Sequence, residues 1–209
     1  TGCRGSYIGM LVIITGMFAV SAKYLWENYK QIYLSVAGGV IAFATAALLL
    51  VSSLRARVLS IFAMRQDSSN SFRFNVYNSS VEMFKDNWLL GIGVGNQNFR
   101  EIYGLYMKTG FDALSAYNIF LEIGVESGIF ALTAFVGFLI TLIKNAVKFI
   151  LKSSNTKDVI IVSTALISIC AVCIHGLVDT VFFRPQIQFV FWTMVAVART
   201  VIFTTDNRL

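Results

Sequence analysis

Residues 119 to 143 read IFLEIGVESGIFALTAFVGFLITLI, and the only charges in the stretch are Glu122 and Glu126, near its start. From Gly128 to Ile143 nothing more polar than the hydroxyls of Thr133 and Thr141 interrupts it. As a helix rising 1.5 Å per residue it would measure about 38 Å, more than the roughly 30 Å of a bilayer's hydrocarbon core. It therefore reads as a membrane-spanning helix. Working outward, four further apolar blocks lie at 7–26, 32–51, 159–178 and 187–203, and Lys23 and Arg199 are their only charges. Such exclusion follows from the cost of a charge at bilayer depth, about 2.5 to 3.5 kcal/mol on insertion scales. Of the 209 residues 56% are hydrophobic and 13% charged, against roughly 25% charged in soluble domains. A soluble globular domain is excluded, and three cysteines with one proline leave neither a disulfide framework nor a Pro-rich disordered chain. The expected fold is all-α: a single membrane domain, a polytopic transmembrane helical bundle of five spans, with a large, partly helical extracytoplasmic loop at 52–118.

Lys144, Lys148, Lys152 and Lys157 crowd the short connection between the third and fourth blocks, which places it in the cytoplasm by the positive-inside rule. The 52–118 loop then lies outside, although Arg55, Arg57 and Arg65 follow the second block on that side. Long loops translocate largely regardless of charge, so the four lysines decide. The opening Thr1-Gly2-Cys3-Arg4-Gly5-Ser6 leads directly into a span, and the chain reads as the C-terminal half of something longer.

Within the loop, Phe72, Val76, Met83 and Phe84 recur near helical period after a cap at Asn70 or Ser71, which predicts an amphipathic helix lying against the membrane. A second, Tyr-rich helix is expected around Phe99 to Lys108. Between them, Gly91, Gly93 and Gly95 have the wrong spacing for a dinucleotide fingerprint and follow no strand. They predict a turn, or a loop whose bare N–H groups approach an anionic head group. Gly124 with Gly128, and Gly38 with Ala42 and Ala46, have the small-residue spacing of close helix contacts. Cys170 and Cys173 read as small packing residues within a span, where desolvation opposes the thiolate.

Glu122 and Glu126 lie one turn apart. Glu122 is expected to reach the headgroups, whereas Glu126, flanked by small residues, is open to a role in a site or network. His175 and Asp179, four apart near the outer end of the fourth block, place a carboxylate beside the chain's only histidine. That histidine is either a proton shuttle or a cap on the helix end. No cofactor, metal or nucleic acid is expected. The expected partners are the bilayer and an anionic ligand.

Several motifs together carry a family resemblance. Thr1-Gly2-Cys3-Arg4-Gly5 before a span, an Arg-containing amphipathic helix, Gly91-Ile92-Gly93-Val94-Gly95-Asn96-Gln97-Asn98-Phe99, and Tyr117-Asn118 followed by Glu126-Ser127-Gly128 resemble the O-antigen ligase and polysaccharide polymerase superfamily. Arg65 to Arg73, Glu82 to Trp88, Tyr103 to Met107, Gly110 to Leu114 and His175 to Gln186 are in addition similar to the cyanobacterial IctB group, to which bicarbonate transport is ascribed.

The superfamily resemblance implies transfer of a glycan from a lipid pyrophosphate carrier at the outer face of the bacterial inner membrane. It also implies outer-loop arginines on the pyrophosphate and a histidine before the asparagine as base. Arg4 matches the first motif, with Cys3 where serine is usual, and Tyr117 stands in the histidine position, as in the IctB group. Phenols titrate near 10 and are poor bases at neutral pH. The expected function is therefore IctB-type bicarbonate transport, with glycan transfer as the alternative. The expected anion site comprises Arg4, Arg65, Arg73, Asn118, Glu126, His175, Asp179 and Arg184, with Tyr117 and His175 as candidate bases.

Overall fold

A computed structural model describes residues 4–62 and 68–206, in which there are seven α-helices, one 3₁₀ turn and no strand. The helices are α1 (Arg4–Leu50), α2 (Ser52–Phe62), α3 (Ser68–Asp86), α4 (Asn96–Tyr103), α5 (Ile119–Lys152), α6 (Thr156–His175) and α7 (Pro185–Asp206). Four helical segments are long and apolar enough to cross a membrane: Tyr29–Leu50, Ile119–Lys152, Thr156–His175 and Pro185–Thr205. These are four of the five expected spans. The block expected at 7–26 lies in the arm of α1 before Tyr29, where the described apolar stretch is Ser6–Ala22.

Tyr29 interrupts α1 with non-helical φ −132° and ψ 31°. Beyond it the chain folds back, so that the Tyr33 hydroxyl donates to the Phe18 carbonyl at 3.1 Å; along a straight helix the two residues would lie about 22 Å apart. The first arm packs on α6, where a Cβ on Gly16 would meet the Ile167 side chain at 2.8 Å. The second arm, Tyr29–Leu50, buries none of its apolar window. The expected contact stripe of Gly38, Ala42 and Ala46 is exposed and meets no partner helix among the described residues.

α5, α6 and α7 form the bundle. Asn155 accepts the Lys157 N–H at 3.2 Å and starts α6 directly after α5, so the two run antiparallel. α7 returns alongside them after the 3₁₀ turn Thr180–Phe183. Two apolar clusters hold the bundle: Ile119, Ile169, Phe182 and Phe191 at one end, and Ala146, Phe149, Val159 and Ile202 at the other. The lysine-rich connection therefore lies at the opposite end from His175, Asp179 and Arg184.

Residues 68–118 are less an open loop than a small helical cap on the first of these ends. The face of α3 that carries Val76 and Met83 packs on protein, while Phe74 and Val81 stay exposed. Val76 and Met83 are fully buried with Phe99, Tyr103, Ala113, Ala116 and Val125, because Gly124 on α5 leaves room for the Phe84 ring, 3.3 Å from where a Cβ would stand. The second loop helix is shorter than expected and ends at Tyr103.

Candidate functional site

α6 ends at His175, and the next residues turn back across the start of α5. The Ile119 N–H donates to the Gly176 carbonyl at 2.7 Å, and the Asn118 amide donates to the Leu177 carbonyl at 3.2 Å. With its carbonyl oxygen Asn118 caps α5, accepting the Phe120 and Leu121 N–H groups at 3.0 and 3.1 Å. A cap of this kind is worth about 1 kcal/mol. One side chain thus both starts a helix and ties the 117–118 corner to the end of α6.

Tyr117, just before it, is the only non-glycine among the described residues with positive φ, 51°. That conformation costs a bulky residue about 1 to 2 kcal/mol. It is held by the Phe72 ring, edge-on at a centroid distance of 5.7 Å, and by Tyr77, whose hydroxyl donates toward the carbonyls of Tyr117 at 3.2 Å and Leu177 at 3.0 Å. Tyr77 went unnoticed in the sequence; the available signal was its place one turn after Arg73 on α3. Burial, the largest influence, raises its phenol above the ordinary value; the Arg73 charge opposes this and the Asp179 charge adds to it.

His175 Nε2 lies 3.9 Å from Asp179 Oδ2. The contact is made across a turn, since the helix stops at His175 and the expected continuation through Val178 does not form. Asp179 Oδ1 meanwhile accepts the Thr180 N–H at 2.7 Å and starts the 3₁₀ turn. Arg184 follows that turn, exposed and within Coulombic reach of His175. Six of the anticipated residues, Arg73, Tyr117, Asn118, His175, Asp179 and Arg184, therefore gather at one end of the bundle.

The remaining three are placed differently. Arg65 lies outside the described residues, and of Arg4 only the backbone is described, at the start of α1; five residues on, a Cβ at Gly9 would stand 3.6 Å from His175 Cβ. Glu126 is taken up by the glycine turn, where its Oε1 accepts the Gly95 N–H at 3.1 Å and its carbonyl accepts the Gly93 N–H at 3.0 Å. Glu122 does not reach the headgroups. It is 2% exposed, with Oε2 unpartnered among the described residues.

The turn itself is spliced into a break in α5. Gly128, at φ 76° and ψ −175°, interrupts the helix; the Ile129 N–H then bonds to the Trp88 carbonyl at 2.8 Å, and the Val125 carbonyl accepts the Ile92 N–H at 2.9 Å. A Cβ on Gly91 would lie 2.4 Å from the Glu126 carbonyl, and one on Gly128 would lie 2.3 Å from the Leu89 oxygen.

Compared with known protein families, residues 1–136 match the family described as O-antigen ligase. The chain belongs to the O-antigen ligase family. The curated proteins contain no match to it. Within the O-antigen ligase match lie Arg73, Tyr77, Tyr117, Asn118 and Glu126, whereas His175, Asp179 and Arg184 fall beyond it and join the cluster through the fold alone.

Proposed function

We propose that this O-antigen ligase family member transfers a glycan from a lipid pyrophosphate carrier to an acceptor hydroxyl, with His175 as general base. The observation that carries the reading is the His175–Asp179 pair at the end of α6, tied to the Tyr117–Asn118 corner through Gly176 and Leu177, with Arg184 within Coulombic reach of His175 and Arg73 of Tyr77. Tyrosine at 117 removes imidazole from the family's base position, and His175, the chain's single histidine, stands at the end of α6 next to that corner. The acceptor hydroxyl attacks the anomeric carbon and its proton passes to the His175 imidazole. The bond from that carbon to the pyrophosphate oxygen breaks, and the leaving lipid pyrophosphate is held by Arg73 and Arg184, whose planar guanidinium forks match its oxygens. Arg4 and Arg65 are further candidates for that clamp. In this reading 52–118 faces outward from the bacterial inner membrane.

Bicarbonate transport of the IctB type has Tyr117 in its favour. Against it, no charged side chain lies between Glu126 and Lys144, between Asp158 and His175, or between Arg184 and Arg199 on the three packed spans, and a path for an anion needs polar groups at that depth.

The test uses purified full-length protein, assayed for transfer of a labelled lipid-linked glycan and for labelled bicarbonate uptake in proteoliposomes. His175→Gln should lower transfer by roughly 10²- to 10⁴-fold, while Tyr117→Phe leaves it nearly unchanged. Uptake without any transfer would overturn the proposal.

A further inference from the structure

At the opposite end of the bundle the ends of α5 and α7 enclose a cavity of about 580 Å³, lined by Lys148, Lys152, Arg199, Asn145, Ser153 and Thr205 among others. A second cavity of about 440 Å³ runs from it along the two helices, past Thr141, Phe138, Gly137 and Ala134, and the two share Asn145 and Arg199. The second cavity is apolar in character. The Thr141 hydroxyl is turned inward to the Gly137 carbonyl at 2.8 Å, and the space beside Gly137 is open, with nothing within 4 Å of a Cβ placed there.

The charges are unbalanced. Lys148, Lys152 and Arg199 make no ion pair among the described residues. The nearby Asp158 carboxylate already accepts from the Asn155 amide at 2.9 Å and the Thr205 hydroxyl at 3.1 Å. Arg199 sits seven residues before the end of α7, about 10 Å inside it, and is exposed on the groove. An arginine at that depth on a lipid-facing surface is costly, and an anion within its reach stabilises it. Gly137 and Asn145 are separated by about 12 Å of helix, so the groove continues from the charged end toward the middle of the span.

We infer that this is a binding site for an anionic phospholipid, its phosphate held by Arg199, Lys148 and Lys152 and one acyl chain lying in the groove over Gly137. Basic pockets between spanning helices at a lysine-rich end are where acidic head groups bind. The groove adds a requirement for a hydrocarbon chain that a free phosphate cannot satisfy.

Full-length protein would be delipidated in neutral detergent, exposed to phosphatidylglycerol, phosphatidylcholine or soluble glycerol 3-phosphate, and examined by native mass spectrometry. One phosphatidylglycerol per chain should be retained, with little phosphatidylcholine or glycerol 3-phosphate. Arg199→Gln with Lys148→Gln should lower retention at least tenfold, and Arg199→Lys should restore part of it. Gly137→Leu keeps every charge but fills the groove, and it should weaken phosphatidylglycerol alone. Equal binding of glycerol 3-phosphate would make the pocket a soluble-anion site, and equal retention by the Arg199→Gln, Lys148→Gln variant would remove the site; either result overturns the inference. Should the leucine variant fail to fold, the charge variants and the choice of lipid decide by themselves.

Discussion

The Tyr77 hydroxyl has one proton and two carbonyl neighbours, those of Tyr117 and Leu177, so its ionisation removes a donor from the joint between α3, the 117–118 corner and the end of α6. Burial raises this phenol above its ordinary value near 10. The folded chain therefore keeps the proton to a higher pH than the unfolded chain does. The stability linked to it is fully present below pH 10 and is lost as pH rises through the folded value. Tyr103 shifts the same way by burial, and Tyr106 chiefly through its hydrogen bond to Asp86. Thermal unfolding of the detergent-solubilised protein should thus be flat through neutral pH with respect to these groups and fall above about pH 10. Tyr77→Phe should cost about 1 kcal/mol at pH 7 and flatten part of the alkaline fall. An unchanged alkaline profile would show that Tyr77 is not buried as described.

Among the elements, α5 does the most to organise the cap, and it does so by failing to be one continuous helix. Gly128 breaks it, and the carbonyls this frees are taken by the 88–95 segment, which satisfies backbone groups that would be costly to leave unpaired. Gly91→Ala forces a Cβ into the α5 backbone at 2.4 Å and onto a left-handed φ of 72°, so it should destabilise by well over the strain alone, about 1 to 2 kcal/mol. Gly110→Ala is the control. Its φ is 88° with nothing within 4 Å, and it should cost no more than that strain. Unfolding midpoints of the two variants that coincide would contradict the splice. The glycine spacing predicted a turn, but its insertion into a helix break did not follow from spacing, since the partner lies more than thirty residues away.

For the whole molecule, the two ends of the bundle are chemically distinct, with arginines, His175 and Asp179 at one and lysines with Arg199 at the other. Single cysteines at Asn96 and Ser154, both exposed, in a chain lacking Cys3, Cys170 and Cys173, should differ toward an impermeant thiol reagent applied outside cells. Asn96 should label and Ser154 should not; the reverse would invert the orientation. The amino-acid sequence by itself determined the helical membrane architecture, because excluding charge from apolar runs is a property of each segment in its solvent and needs no knowledge of neighbours. It also singled out the ionisable residues at the span ends for the same reason: an ionisable group beside a span is conspicuous wherever the chain goes. Tertiary structure alone decided that Tyr29 ends in a fold-back, that the Val76 and Met83 face of α3 is buried in protein, and that Glu126 clamps a turn while Asn118 ties α5 to the residues just after His175. Each of these depends on which surfaces meet, and the competing partners, bilayer or protein, are equally apolar along a helix face, so periodicity cannot choose between them.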